Sequence, residues 1–106
     1  MQTIENINKT IKKNLAVMVY FSAPTCSVCH ALKPKLFEEL EKNFPNFIIE
    51  DVDISIEEEI APYFGVYAIP SVLIFLDGYE FIRKSRYISV SEVIEATRRP
   101  YEMMIS

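Results

Sequence analysis

The stretch "LAVMVYFSAPTCSVC", residues 15–29, carries the signals that decide the fold. Residues 15–21 form a continuous apolar run rich in β-favouring side chains, which is typical of a strand covered on both faces. Residues 22–25 break this run. Helical spacing of apolar side chains then begins at Cys26 and continues to Phe44. The sequence therefore predicts a buried strand that leads, through a short turn, into the amino end of a long helix.

Both cysteines of the chain lie at this junction. Cys26 and Cys29 form a Cys-x-x-Cys pair, and the single histidine, His30, follows them directly. At the first turn of a helix, unpaired backbone N–H groups and the helix dipole favour a thiolate. The spacing also places both sulfurs on one helix face, where they can form a disulfide. Cys26 is therefore a candidate nucleophile that attacks a partner's disulfide, and Cys29 is a candidate for resolving the mixed disulfide.

Other interpretations of these residues remain open at this point. Cys-x-x-Cys-His is also the attachment signature of a c-type haem, which would further require an axial ligand and an open pocket. A structural zinc ion is bound by four ligands, which two cysteines and one histidine can supply only if two copies of the chain share the metal. Two buried cysteines without a function would have this spacing only rarely by chance. We expect a redox dithiol that needs no cofactor and no metal.

Length and composition limit the class of protein. With 106 residues, the chain is long enough for one core and too short for two, so we expect a single domain over residues 1–106. The formal net charge is −4 and there is no basic tract, which argues against nucleic acid as a partner. No apolar run reaches the roughly 20 residues of a membrane span. The first residues lack the features of a signal peptide, so we expect a cytoplasmic location.

The remaining patterns predict helices and strands in alternation. The periodicity of apolar residues predicts a helix over residues 3–13 and strands over 46–54, 71–77 and 79–87. The pair Asp77-Gly78 is a hairpin signal and predicts a turn between the last two strands. A short helix is expected over residues 55–65, with Ser55 as N-cap and Gly65 as C-cap. A last helix is expected to begin at residue 89 or 91 and to stop at Pro100. This order predicts an α/β fold with a mixed sheet between helices.

Two segments of the chain are similar to those of a known family. "VMVYFSAPTCSVC", residues 17–29, is followed by Pro34 in the helix, and "FGVYAIPSVLIF" occupies residues 64–75. Both segments resemble the thioredoxin family, and the similarity extends over nearly the whole chain. The resemblance implies a thioredoxin-like fold, in which helices flank a central mixed sheet of four strands. It also implies that Pro70 is a cis proline facing the dithiol of Cys26 and Cys29.

Positions around the dithiol supply candidate substrate-binding residues. Thr25 takes the place of the tryptophan that precedes the first cysteine in reducing members of the family. A cis Ile69–Pro70 bond would turn the backbone outward, so that the N–H and C=O of Ile69 could pair with an extended substrate segment. Arg86 stands where the family has a glycine that lines the substrate groove. The resemblance therefore implies a groove that is narrower or more basic here.

A further difference from the family concerns the carboxylate beneath the dithiol. The family's buried aspartate, six residues before the first cysteine, is replaced by Tyr20, and the lysine on the neighbouring strand is replaced by Asp51. Tyrosine is a poor base at neutral pH but can orient a carboxylate by hydrogen bonding. We therefore predict that Asp51 lies partly buried behind the dithiol and helps, as a general base, to deprotonate Cys29.

Two functions fit these observations. The first is a thiol-disulfide oxidoreductase that reduces or exchanges disulfides in a protein substrate and receives electrons from a donor or reductase that the sequence does not identify. The second is a binding module that keeps the fold and holds a protein at the Pro70 groove or at the acidic residues 57–59, without redox turnover. Reduction of insulin disulfides would separate the two.

Overall fold

The computed structural model describes residues 2–105. The expected domain, residues 1–106, includes positions 1 and 106, which lie outside the described residues. Within this range the chain forms four helices and four strands, in the predicted order. The elements are α1 (Ile4–Lys13), β1 (Ala16–Ser22), α2 (Ser27–Asn43), β2 (Ile48–Asp53), α3 (Ile60–Tyr63), β3 (Ser71–Leu76), β4 (Tyr79–Ser85) and α4 (Val90–Ile105).

The strands form one mixed sheet in the order β2-β1-β3-β4. Strand β1 runs parallel to β2 and antiparallel to β3, and β3 continues into β4 through a hairpin. The hairpin turns at Asp77 and Gly78, whose φ angles of 52° and 83° are those of a two-residue type I′ turn. The structure thus confirms the thioredoxin-like architecture, a central mixed four-stranded sheet flanked by helices.

The two faces of the sheet carry separate cores. Helices α2 and α4 cover one face, where Tyr20 and Leu36 are fully buried. Helices α1 and α3 cover the other face, where Ile7 and Phe21 are fully buried. Because successive side chains of a strand point to opposite faces, neighbouring residues of β1 enter different cores. Burial on both faces explains why residues 15–21 are apolar without alternation.

The segment after β2 differs from its prediction. A helix capped by Ser55 is expected over residues 55–65, but the structure has only the single turn α3. Ser55 does not cap a helix, because its N–H and its hydroxyl both donate to Oδ1 of Asp53, at 2.9 Å and 2.6 Å. Such local bonds compete with helix formation. Gly65, with a φ of 70°, does lie just beyond the end of the helix, as expected.

The last helix also differs from its prediction. Helix α4 does not stop at Pro100 but continues to Ile105. A proline inside a helix removes one backbone hydrogen bond, so the continuation requires compensation. Tyr101 supplies it, because its buried ring packs against Phe44 and Phe47 with centroid distances of 5.0 Å and 5.5 Å. The C-terminal turn therefore packs onto the rest of the protein.

Candidate dithiol site

The candidate site lies at the end of the sheet where β1 and β2 both finish. Ser71, the first residue of β3, is paired with Phe21 of β1 on one side and with Ser85 of β4 on the other. The N–H of Arg86 donates to the Pro70 carbonyl at 2.8 Å. The loops that follow β1, β2 and β4 therefore meet the loop that precedes β3 at this one end of the sheet.

Cys26 and Cys29 are joined by a disulfide, with their Cα atoms 5.3 Å apart. Cys26 is the N-cap of α2, and its Sγ accepts a hydrogen bond of 3.2 Å from the N–H of Cys29. Cys26 is partly exposed, whereas Cys29 is only 1% exposed. After reduction, the same N–H and the positive end of the helix would stabilise a thiolate on Cys26. An external disulfide can therefore reach Cys26 but not Cys29.

His30 fixes the turn that precedes the reactive pair. Its Nε2–H donates to the Pro24 carbonyl, with 2.8 Å between the nitrogen and the oxygen. The N–H of Cys26 donates to the Ala23 carbonyl at 3.0 Å and closes a turn over residues 23–26. The single histidine therefore holds the backbone of the loop from which Cys26 projects.

The peptide bond between Ile69 and Pro70 is cis, as the resemblance implies. Within residues 2–105, neither the N–H nor the C=O of Ile69 makes a hydrogen bond. These two groups are free to pair with an extended segment of another molecule, in the manner of an added β-strand. Thr25 is exposed in the turn before Cys26. The structure thus brings the three expected substrate-binding residues to the same end of the sheet.

Arg86 interrupts the last strand beside Pro70. The sequence predicts a strand through residue 87, but β4 ends at Ser85, because Arg86 adopts a φ of 66° that a strand cannot contain. Glycine adopts this left-handed conformation at least cost, which agrees with the family's glycine at this place. Within the described residues, the Arg86 side chain forms no ion pair. A basic residue is therefore joined to Pro70 through its backbone.

Tyr20 lies beneath the buried cysteine. It is fully buried, and its hydroxyl donates to the Cys29 carbonyl at 2.8 Å. Burial and, to a smaller extent, the nearby charge of Asp51 raise the pKa of Tyr20 to about 12. The phenol therefore remains protonated at neutral pH. It anchors the backbone of Cys29 and does not orient Asp51 by hydrogen bonding.

Asp51 and Cys29 line the same small cavity, of about 250 Å³, together with His30 and Lys33. Asp51 is half-buried and forms an ion pair with Lys33. His30 and Lys33 add nitrogen atoms to the lining of this cavity, beside the Asp51 carboxylate. The structure thus brings Asp51 and Cys29 to one cavity, and the role of Asp51 as a general base stays a prediction.

Lys33 is the site residue that sequence reasoning missed. It lies four positions after Cys29 on α2, and this spacing places both residues on one helix face. The helical spacing is a signal that could identify it. Helical spacing could not predict that Lys33 pairs with Asp51, because this ion pair depends on where β2 lies relative to α2.

The cysteine and histidine side chains of the motif are engaged with other groups of the protein. The two sulfurs are bonded to each other, and His30 is bonded to the Pro24 carbonyl. Among residues 2–105, no three His, Cys, Asp or Glu side chains are grouped so that they could hold a metal ion. The helices in this part of the chain are all too short or too polar to cross a membrane.

Comparisons with known proteins agree with the fold and with the dithiol. Sheet order, cis proline and the cysteine pair at the start of α2 together define a thioredoxin-like protein. The Thioredoxin family profile matches residues 1–97. The chain belongs to the thioredoxin family.

The individual relatives have low sequence identity to this chain. Thioredoxin-like protein YdfQ from Bacillus subtilis is 31% identical over 103 residues, which are 97% of this chain and 91% of that protein. The structure of thioredoxin 1 from Thermosipho africanus is 32% identical, with a TM-score of 0.75 over 85% of this chain and 99% of that one. Thioredoxin O2 from Arabidopsis thaliana has a TM-score of 0.79 at 21% identity, over 95% and 91% of the two chains, and shows the fold alone.

Other curated relatives are longer proteins. The chain spans between 16% and 59% of their length, and protein disulfide-isomerase A4 from Homo sapiens is one of them. Thioredoxin-family relatives are thiol oxidoreductases, which supports the same general chemistry for Cys26 and Cys29.

Proposed function

We propose that the protein is a thiol-disulfide oxidoreductase that reduces or exchanges disulfides in protein substrates. The observation that carries this proposal is the asymmetry of the dithiol. Cys26 is accessible and accepts an N–H hydrogen bond at the start of α2, whereas Cys29 is buried behind it. A nucleophile needs access and a stabilised thiolate, and a resolving thiol needs only to reach the sulfur next to it.

The reaction consists of two thiol-disulfide exchanges. The thiolate of reduced Cys26 attacks one sulfur of the substrate disulfide, that S–S bond breaks, and the leaving thiolate takes a proton from water. Cys29 then loses its proton and attacks the Cys26 sulfur of the mixed disulfide. The second substrate thiol leaves, and the Cys26–Cys29 disulfide forms. Two electrons have then passed to the substrate, and a dithiol donor or reductase must return two electrons to the protein.

Asp51 is the proposed acceptor of the Cys29 proton. The two residues share a cavity that can hold water, and the ion pair with Lys33 fixes the position of the carboxylate. General-base assistance is typically worth 10²- to 10⁴-fold in rate, and transfer through water falls at or below the low end of that range. Asp51 therefore accelerates resolution but is not essential for attack by Cys26.

Thr25, Ile69 and Pro70 form the proposed contact with the substrate. The unpaired N–H and C=O of Ile69 would bond the backbone of the substrate segment that carries the disulfide, and Thr25 would flank it at the exposed turn. Backbone bonds do not depend on the side chains of the substrate. This contact therefore supports action on proteins in general more than on one sequence.

Reduction of insulin disulfides by dithiothreitol tests the proposal. Wild type should accelerate the reaction, and Cys26→Ser should reduce it to the uncatalysed rate. A wild-type rate equal to that of Cys26→Ser would instead favour a binding module without redox turnover. Equilibration with glutathione buffers of known potential, followed by thiol trapping, then gives the direction in which electrons flow.

The proposal includes a cytoplasmic location and excludes nucleic acid as a partner. Cytoplasmic thiols are kept reduced, so a donor for Cys26 and Cys29 would be at hand there. Cell fractionation with an antibody against the protein tests the location, and recovery of the protein mainly outside the cytoplasm would contradict it.

A further inference from the structure

A second cavity, also of about 250 Å³, lies beside Ile69. Its walls are mostly apolar and include Ile54 and Val66, while Glu58 and Tyr67 also line it. Ile69, whose backbone N–H and C=O make no hydrogen bond within residues 2–105, is itself one of the lining residues. A substrate segment that pairs with Ile69 would therefore have a side chain within reach of the cavity.

Glu58, unlike Glu57 and Asp51, has no hydrogen-bond or ion-pair partner within residues 2–105. Glu57 accepts hydrogen bonds from the N–H of Gln2 at 2.6 Å and of Asp53 at 3.4 Å, and Asp51 is paired with Lys33. Within residues 2–105, the carboxylate of Glu58 makes neither a hydrogen bond nor an ion pair, and the residue is exposed. The fold does not use this charge, which is free to bind another molecule.

The lining of the cavity is complementary to a lysine or arginine side chain. Such a side chain combines an apolar stem with a cationic head, so the stem can pack on the apolar walls while the head meets the Glu58 carboxylate. Tyr67, which is 84% exposed, offers an aromatic face to the same cation. An acidic side chain would meet a like charge. A neutral one would leave Glu58 without a partner.

We propose that this cavity is a subsite for a lysine or arginine side chain of the protein substrate, on the segment that pairs with Ile69. The subsite rests on the proposed oxidoreductase function and adds a charge preference to it. Arg86 does not line this cavity, although it lies close to Pro70. The preference therefore depends on Glu58.

The test uses disulfide-linked peptides in which Lys, Gln or Glu occupies each of two positions on either side of the cysteine. At one position or more, wild type should reduce the Lys peptide about two- to fivefold more efficiently, in kcat/KM, than the Gln peptide, as expected for an exposed ion pair. The Glu peptide should be reduced less efficiently than the Gln peptide. Added salt should weaken the preference.

Glu59 provides a matched control, because it is also exposed and unpaired within residues 2–105 but does not line this cavity. Glu58→Gln should remove the preference for Lys and Glu58→Lys should reverse it, whereas Glu59→Gln should leave it intact. If Glu58→Gln and Glu59→Gln lose the preference for Lys equally, the preference arises from the overall negative charge of this region, and the subsite is overturned. Equal reduction of the Lys, Gln and Glu peptides by wild type would overturn it as well.

A binding measurement separates failure of the subsite from failure of the oxidoreductase function. The same peptides, with Ser in place of Cys, are titrated into wild type and Glu58→Gln by calorimetry or NMR. Tighter binding of the Lys peptide that depends on Glu58 would support the subsite even if no peptide is reduced. Turnover without this difference in binding or in kcat/KM would refute the subsite alone.

Discussion

The connections that follow β1 and β2 both reach the candidate site, but only the first starts a helix at the expected residue. After β1, the sulfur of Cys26 caps α2, a helix of 17 residues. After β2, the hydroxyl of Ser55 bonds Asp53 instead, and the helix that begins at Ile60 has four residues. At Ser55, local bonds to Asp53 take the place of a helix start.

The connection after β1 and the connection after β2 differ in structure, and we assign them different roles. The first holds Cys26 and Cys29 rigidly at a helix start, where backbone N–H groups favour a thiolate. The second is a series of turns before α3, and the carboxylate of Glu58 makes no hydrogen bond or ion pair within residues 2–105. In the proposed function, the first connection performs the exchange and the second adds a charged contact with the substrate through Glu58. Substitutions in the two connections and in the elements next to them test this division.

The largest effect is expected in the first connection. Cys29→Ser should accumulate mixed disulfides on Cys26 in cell lysate, because the intermediate can no longer be resolved. Cys26→Ser should accumulate none. Non-reducing electrophoresis followed by mass spectrometry of the trapped species measures both. Trapping of the same partners by both variants would contradict the assignment of Cys26 as the nucleophile.

A smaller effect is expected at Asp51 in β2, which shares a cavity with Cys29. Asp51→Asn should slow resolution of the mixed disulfide by about tenfold, because the proposed proton acceptor for Cys29 is lost, and should leave attack by Cys26 nearly unchanged. Stopped-flow measurement of the two half-reactions decides this. Lys33→Gln is the companion variant, since it frees the carboxylate without removing it, and it should slow resolution less. Equal resolution rates in wild type and Asp51→Asn would exclude the role.

Tyr20→Phe should lower the free energy of unfolding by about 1–3 kcal/mol, because the buried Cys29 carbonyl loses its donor. The variant should also change the pH dependence. The pKa of Tyr20 is raised from 10.0 to about 12 in the folded protein, so its contribution to stability is complete below about pH 10 and is lost as the pH rises toward 12. Urea unfolding at several pH values should show a shallower alkaline decline for Tyr20→Phe. An identical decline would contradict this.

The smallest effect is expected in the second connection. Ser55→Ala should lower the free energy of unfolding by about 0.5 kcal/mol or less, because it removes an exposed bond to Asp53 and no helix cap. Loss of a true N-cap typically costs about 1 kcal/mol. Chemical denaturation distinguishes the two values. A loss above 1 kcal/mol would mean that Ser55 does cap a helix in solution.

Local patterns predict most of the fold, and contacts between distant residues account for the errors. The buried strand, the dithiol at a helix start and the hairpin at Asp77-Gly78 all follow from short-range signals. The end of α4 does not, because the helix continues past Pro100 where Tyr101 packs on Phe44 and Phe47, residues distant in the sequence. The candidate site shows the same contrast between local and distant contacts. The Cys-x-x-Cys spacing identifies Cys26 as a candidate nucleophile. The ion pair of Lys33 with Asp51 joins α2 to β2, and local sequence patterns do not predict how these two elements are positioned relative to each other.

Tyr101 also ties the end of the chain to the beginning of β2. Phe44 is the C-cap of α2 and Phe47 immediately precedes β2, so the three packed rings hold the loop between them. In mechanical terms, the last turn of α4 restrains the start of β2, the strand that carries Asp51. Tyr101→Ala should therefore speed amide hydrogen exchange in the first residues of β2. Unchanged exchange there would mean that pairing with β1 alone holds the strand, and that the position of Asp51 does not depend on the C-terminal turn.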